Sequence, residues 1–184
     1  MAQKNIKVNV FSQKSIDEAI KYLKDYSKSL DEKVQIFLDR LTDEGIAVID
    51  ATMQSASIVS YDKDGNAVHE SFDWSNVKNV TGSNGSYQMV LEVMGENLLF
   101  IEFGAGVTYA VPQNPKASEL GYGVGTYPGQ THAFDPNGWY YNETGGDGSR
   151  SSLHSYGNSP FMPVYKSSLE MRKRIYSIAG EVFR

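Results

Sequence analysis

The segment that most constrains this chain covers residues 104–158, which are rich in glycine and aromatic residues but poor in aliphatic side chains. It holds eleven of the seventeen glycines in the 184-residue sequence. Because glycine leaves the backbone free and few aliphatic side chains are present, such a segment cannot form a core of its own. Its aromatic rings can bury against a neighbouring surface. The pattern therefore predicts a long contact loop on a single domain spanning residues 1–184, and a function based on contact instead of catalysis.

Composition excludes several classes of protein. Hydrophobic residues make up 40% of the chain, which is enough for one domain with a core. No apolar run approaches the ~20 residues that cross a bilayer, and the polar N-terminus is unlike a secretion signal. The lack of cysteine excludes disulfides, thiolate metal sites and a cysteine nucleophile. A formal net charge of -5 disfavours a nucleic-acid reader. We expect a protein made in the cytosol, with no membrane partner.

The N-terminal part of the chain has the pattern of a strand followed by a helix. Apolar and polar residues alternate over residues 6–10, which predicts a short strand with one buried face. Ser15 and Glu18 have the spacing of a capping box. Apolar residues then recur at helical spacing, which predicts a first helix over residues 16–29.

A second helix is predicted to follow. Asp31 is a suitable N-cap, and an apolar stripe continues from there to Met53. Gly45 interrupts the stripe and costs about 1 kcal/mol relative to alanine inside a helix. We favour one long helix through Gly45 that ends near Ser55, with either a bend or a closely packed neighbour at the glycine.

Beyond this helix the apolar period changes to about two, which is typical of strands. Residues 57–61 and 67–72 flank a polar, glycine-containing turn at 62–66 and predict a β-hairpin. Residues 87–94 and 98–103 predict a second hairpin. The last of these stretches is short enough that the pattern alone does not separate a buried strand from a helix.

The last predicted element is an amphipathic helix introduced by Pro160 and Pro163. Charged residues such as Lys166 and Arg172 mark its exposed face. Its apolar positions are Val164, Leu169, Ile175, Ile178, Ala179 and Val182. Helices at both ends of a mainly antiparallel sheet give an α+β fold class.

Three sequence blocks, in this order, resemble a known family. They are FIEFGAG at residues 100–106, GTYPGQTHAFDPNGWYY at 125–141 and HSYGNSPFMPVYKSSLEMRKRIYSIAGEVF at 154–183. The chain resembles the gene-product-ten-like family of tailed-phage neck proteins, also called tail-completion or head–tail connector proteins, of phages that infect Gram-positive bacteria. Ala105 stands where the family's Glu-Phe-Gly-Thr-Gly pattern has threonine, and the glycines of the pattern are kept.

The resemblance implies a structural component of a phage virion, with no enzymatic activity, cofactor or metal. Its expected partners are other copies of the chain in a ring, expected to be a hexamer, together with the adaptor or stopper of the head connector and the tail terminator or tail tube. The genome would pass through the ring without sequence-specific binding, and an acidic channel would repel it. The expected location is the virion, after assembly in the host cytoplasm. The related role of tail terminator is an alternative.

Aromatic and apolar residues of the three blocks are the expected contact residues, because such side chains are enriched at interface hot spots. The predicted interface consists of Phe103, Tyr127, Phe134, Trp139, Tyr140, Tyr141, Phe161 and Met162. Some of the same residues would serve a different class of function. Tyr127, Trp139 and Tyr140 would form the platform of a glycan-binding module.

Glu102 carries the main catalytic alternative. A buried acid at this position could act in a cell-wall glycan hydrolase, with Asp135 and Glu143 as the other carboxylates. We favour the interpretation that Glu102 caps backbone amides of the glycine turn that follows it, or faces solvent. His132 and His154 could join Asp135 in a metal site, but the sequence lacks a second acid at ligand spacing, so we expect loop residues.

Overall fold

The computed structural model of the chain describes residues 8–9, 11–83, 85–95, 97–106, 113–121, 135–144 and 150–184. These residues form two long helices and antiparallel strands, so the predicted α+β class is confirmed. The strand predicted at residues 6–10 lies largely outside the described residues. Within the described ranges, none of the helices combines the length and the hydrophobicity needed to cross a bilayer.

The longest element is helix α1, Gln13–Ser55, with 43 residues. Its N-cap is Ser12, whose hydroxyl accepts a hydrogen bond from the backbone N–H of Ser15 at 3.4 Å. The predicted capping box of Ser15 and Glu18 is therefore wrong. The predicted end at Ser55 is confirmed.

The predicted break between two N-terminal helices is also wrong. Neither proline nor glycine occurs in α1 before Gly45, so nothing in the chain interrupts the helix there. Asp31, the expected cap, lies inside the helix, and its carboxylate accepts a hydrogen bond from the hydroxyl of Tyr87. Asp31 thus makes a tertiary contact with Tyr87 instead of capping a helix.

A four-stranded antiparallel sheet has the strand order β2-β1-β6-β5. Strands β1 (Ile58–Tyr61) and β2 (Ala67–Glu70) form the predicted hairpin, with Ile58 opposite Glu70. Strands β5 (Trp139–Thr144) and β6 (Arg150–Ser155) come from the segment predicted as a contact loop. The sheet thus takes in part of residues 104–158, where the sequence predicted no strand.

A separate two-stranded sheet packs on α1. It consists of β3 (Trp74–Ser83) and β4 (Ser86–Gly95). Strand β4 confirms the strand predicted at residues 87–94, but its partner is β3, which the sequence analysis did not predict. The Trp74 indole N–H donates to Asp50 of α1 at 2.9 Å, which fixes the base of this hairpin against the helix.

Residues predicted as the second strand of that hairpin form a short helix, α2 (Leu98–Phe103). Ile101, Glu102 and Phe103 are buried consecutively. A strand alternates its side chains between two faces and would expose one of the three, whereas a helical turn enclosed on several sides buries all of them. Of the two possibilities left open for residues 98–103, the strand is therefore wrong and the short helix is confirmed.

Helix α3, Pro163–Val182, confirms the predicted C-terminal helix and runs antiparallel to α1. A Cβ atom on Gly45 would lie 2.9 Å from both Met171 Sδ and Ser167 Oγ of α3. A closely packed neighbour, one of the two predicted possibilities, therefore explains this glycine. Val164 and Ile175 are exposed and do not pack into the core as predicted.

The hydrophobic core lies where α1, the two sheets and α2 meet. Its centre is formed by Ile49 and Met53 of α1, Ile58 of β1 and Ile101 of α2. Half-buried residues close around this centre: Ala56, Phe72, Trp74, Leu91, Val93, Leu98, Phe100 and Phe161. The core thus places α2 directly beside the start of α3.

Candidate functional site

Glu102 of α2 caps the N-terminus of α3. Its carboxylate accepts hydrogen bonds from the backbone N–H groups of Val164 at 2.8 Å and Tyr165 at 3.1 Å, and from the side-chain amide of Asn114 at 2.6 Å. The N-cap residue of α3, Met162, has φ of 60° and provides no side-chain cap. The first amides of a helix need acceptors from elsewhere. Glu102 supplies them although it lies 62 residues earlier in the chain. The prediction that Glu102 caps backbone amides is therefore confirmed, but the amides belong to α3 and not to the glycine turn.

Burial raises the pKa of the Glu102 carboxyl above its ordinary value. The hydrogen bonds from Val164, Tyr165 and Asn114 and the positive charge of Lys166 act in the opposite direction, but they do not cancel the cost of desolvation. Both carboxylate oxygens are occupied by donors, and the residue is only 6% exposed. The geometry is that of a structural cap.

The turn that follows α2 pairs with the segment that precedes α3. Ala105 and Asn158 exchange two backbone hydrogen bonds, at 2.9 and 2.8 Å, and the backbone N–H of Phe161 donates to Ile101 at 2.8 Å. Gly104 has φ of 76°, and a Cβ there would lie 2.8 Å from the carbonyl oxygen of Asn158. Glycine is therefore required at this position. We call this arrangement of α2, the turn and the start of α3 the joint.

A cavity of about 240 Å³ lies beside the joint. The hydroxyl of Tyr141 donates to the carboxylate of Glu70 and lies 2.8 Å from the hydroxyl of Ser60. Asn97 donates to the same carboxylate at 3.4 Å. The cavity is lined by Ile58, Glu70, Asn97, Phe100, Ala105, Trp139, Tyr141, Ser155 and Asn158. Aromatic walls with a carboxylate and amides can hold a small polar ligand.

An aromatic cluster lies on the sheet at β5 and β6. The ring of His154 is 4.4 Å from that of Tyr140 and 4.5 Å from that of Tyr156, and Tyr61 contacts Tyr156 at 5.6 Å between centroids. Tyr140 is 74% exposed. We call Tyr61, Tyr140, His154 and Tyr156 the tyrosine patch. His154 thus stacks between rings, and among the described residues no group of three potential ligands is close enough to hold a metal ion.

The predicted interface residues fall in three environments. Tyr140 is exposed in the tyrosine patch, whereas Trp139 and Tyr141 line the cavity. Neighbouring residues of a strand point to opposite faces, so Trp139 and Tyr140 cannot form one glycan platform. Phe103 is buried, and Phe161 is half-buried against the core.

The remaining candidates have weaker support or lie elsewhere. Met162 is half-buried at the start of α3. Asp135 accepts from the backbone N–H of Asn137 at 2.9 Å within a turn. Three predicted residues, Tyr127, His132 and Phe134, and the side chain of Glu143 lie outside the described part of the chain.

The sequence analysis missed Glu70, which lines the cavity, and Ser60, whose hydroxyl contacts Tyr141 and Glu70 beside it. Val68 and Glu70 lie on the half-buried face of β2, so strict alternation along this strand could have placed Glu70 facing inward. No sequence signal connected it to Tyr141, 71 residues later.

Comparisons with protein-family models, with curated proteins and with solved structures find no match to this chain.

Proposed function

We propose that this chain is a structural component of a bacteriophage virion, a neck or tail-completion protein that joins the head connector to the tail. In this proposal, copies of the chain form a ring around the channel through which the genome passes. The formal net charge of -5 supports such a role, because an acidic channel wall repels DNA and lets it move.

The observation that carries the proposal is that all three sequence blocks of the resemblance meet at the joint. Ala105 of the first block pairs with Asn158 of the third. A Cβ on Gly106 would lie 3.3 Å from the ring of Trp139, which belongs to the second block. Glu102 of the first block caps the helix of the third. Blocks far apart in sequence thus form one structural unit, as residues retained for a shared fold would.

The tyrosine patch supports a role in assembly. Its rings combine a large apolar area with polar groups, which is typical of residues that dominate binding energy at interfaces. Tyr140 and Tyr156 are exposed while their rings are already held against His154. Because the rings are held in place, docking a partner would cost little side-chain entropy.

Electron microscopy of the purified chain, alone and mixed with heads and tails from particles that lack it, tests the proposal. We expect rings, and joined particles when all components are present. Tyr140→Ala should reduce joining, whereas Tyr176→Ala, which removes an even more exposed ring from α3, should not. Binding to tails alone would indicate the tail terminator role. An absence of rings and of binding to either component would refute the proposal.

The cavity favours a second candidate, a glycan-binding module. Trp139 and Tyr141 offer ring faces, and Glu70 and Asn97 offer hydrogen-bonding groups. Binding of the purified chain to a glycan array, lost in Glu70→Gln, would support this function.

A cell-wall hydrolase would need a free carboxylate. Lysis of Gram-positive cell walls that disappears in Glu102→Gln would overturn the structural interpretation of Glu102.

A further inference from the structure

We propose that the cavity beside the joint binds a small organic ammonium ion. The cavity contains one carboxylate, that of Glu70, next to aromatic side chains. A negative charge beside ring faces is a combination that favours a positively charged organic ligand. This binding does not depend on the proposed role in the virion. It differs from the glycan-binding candidate in a property that can be measured, which is the positive charge of the ligand.

One face of the four-stranded sheet supplies a wall of the cavity, and the strand register determines which side chains meet there. Ile58 lies opposite Glu70, and Trp139 lies opposite Ser155. Tyr141 follows Trp139 by two residues, so both side chains leave β5 on the same face. These five side chains therefore line the cavity together.

Three aromatic residues border the cavity. They are Phe100 of α2 and Trp139 and Tyr141 of β5. The face of an aromatic ring carries partial negative charge and attracts a cation placed over it, and tryptophan does so most strongly. Aromatic rings also bind neutral apolar groups, so the rings alone do not determine the charge of the ligand. That charge follows from Glu70.

The carboxylate of Glu70 is surrounded by neutral hydrogen-bond donors. Its Oε1 atom accepts from the hydroxyls of Tyr141 and Ser60, and its Oε2 atom accepts from the amide of Asn97 at 3.4 Å. In the part of the chain that the structure describes, no lysine or arginine forms an ion pair with Glu70. A cationic ligand would balance this negative charge in a site that is partly shielded from water.

An organic cation fits the cavity better than a metal ion does. A divalent metal ion is usually held by several carboxylate or imidazole groups. Across the described ranges, no three such side chains lie close enough together. The volume of about 240 Å³ is also below the ~300–1,000 Å³ that is typical of pockets for drug-sized ligands. The ligand should therefore be a small ammonium compound.

Calorimetric titration of the full chain with choline and with ethanolamine tests the site. These two probes present a bulky and a compact ammonium group. The matched ligand is the neutral isostere of choline, in which carbon replaces the nitrogen. We expect at least one ammonium probe to bind, and choline to bind about tenfold more tightly than its isostere, because only choline carries the charge. Sodium chloride at the same ionic strength controls for a general effect of salt.

Two substitutions locate the binding. Glu70→Gln keeps the shape of the side chain and removes its charge, and it should weaken binding of the ammonium probe about tenfold. Trp139→Leu removes the ring that attracts the cation most strongly and should have an effect of similar size. The matched control is Glu92→Gln, which changes an exposed strand glutamate outside the cavity and should leave binding unchanged. Circular dichroism verifies that each variant is folded.

Nuclear magnetic resonance of the two tryptophan indole N–H groups gives a measurement that needs no variant. Trp139 lines the cavity, whereas Trp74 donates to Asp50 at the base of the β3–β4 hairpin. The ammonium probe should shift the signal of Trp139 and leave that of Trp74 unchanged. This measurement and the comparison with the neutral isostere remain decisive even where Glu70→Gln lowers the stability of the chain.

Several results would overturn the inference. They are binding of neither ammonium probe, equal affinity for choline and its neutral isostere, and binding that Glu70→Gln leaves unchanged in a folded chain. Binding of neutral sugars without any preference for a cation would also overturn it, and would support the glycan-binding module. None of these results bears on ring formation, so the proposed role in the virion is tested separately.

Discussion

Replacing Glu102 by Gln tests whether α2 holds the start of α3 through this one side chain. The carboxylate serves three donors, the N–H groups of Val164 and Tyr165 and the amide of Asn114. Gln keeps one acceptor oxygen and turns an NH₂ group toward the donors, so at least one buried donor loses its acceptor. Such a loss costs about 1–3 kcal/mol. We expect the free energy of unfolding to fall by about 2 kcal/mol, and the unfolding temperature by about 4–8 °C.

The pH dependence of this loss has a definite sign. Burial raises the pKa of Glu102 in the folded chain above its value in the unfolded chain. Between these two pKa values the folded state binds more protons, so the stability contributed by protonated Glu102 is present at lower pH and is lost as pH rises through the folded value. Gln does not titrate. The difference in stability between wild type and variant should therefore shrink as pH increases.

Denaturant unfolding followed by circular dichroism, repeated over a series of pH values, measures this difference. Glu119→Gln is the matched control, because Glu119 is an exposed glutamate that pairs with Lys116 at the surface. Its effect on stability should be small at every pH. A Glu102→Gln variant as stable as the wild type would refute the assignment of Glu102 as the cap of α3. A stability difference that grows with pH would refute the conclusion that burial outweighs the hydrogen bonds in setting its pKa.

Other predictions concern the contact of α1 with α3 and the tyrosine at the hairpin. Gly45→Ala should lower the free energy of unfolding by about 1–3 kcal/mol in a denaturant titration, despite better helix propensity, because its methyl group meets Met171. Ser167→Ala should raise it by about 1 kcal/mol, since it removes a buried hydroxyl that has no hydrogen-bond partner within the described structure. Partial burial and the carboxylate of Asp31 raise the pKa of Tyr87 to about 12; Asp31→Asn should lower this pKa in an ultraviolet titration.

The sequence predicted the elements whose signals are local. The hairpin around residues 62–66 and the helix after Pro163 have turn and proline signals at their ends, and both are confirmed. The predicted break before Asp31 is wrong because the capping signal on which it depended is weaker than the continuous apolar stripe of the helix. A capping residue type is a weak signal beside an apolar stripe that continues unbroken, as Leu23 and Leu41 show.

The parts that sequence could not predict depend on contacts between distant residues. Strand β6 joins the sheet by pairing with β1, with His154 opposite Tyr61, and no local pattern encodes such a pairing. The candidate site also depends on contacts between residues far apart in the sequence. Glu102 was singled out from its apolar neighbours, but the amides that it caps lie on another helix. Similarly, the cavity needs Glu70 and Tyr141 to meet across the sheet.

Because a residue of α2 caps α3, the stability of the first turn of α3 depends on α2 being in place. The first turn of α3 lacks a side-chain cap of its own, so its amides gain their acceptor only after a loop of about 60 residues has closed. Amide hydrogen exchange at Val164 and Tyr165 therefore measures the free energy needed to open the contact between α2 and the start of α3.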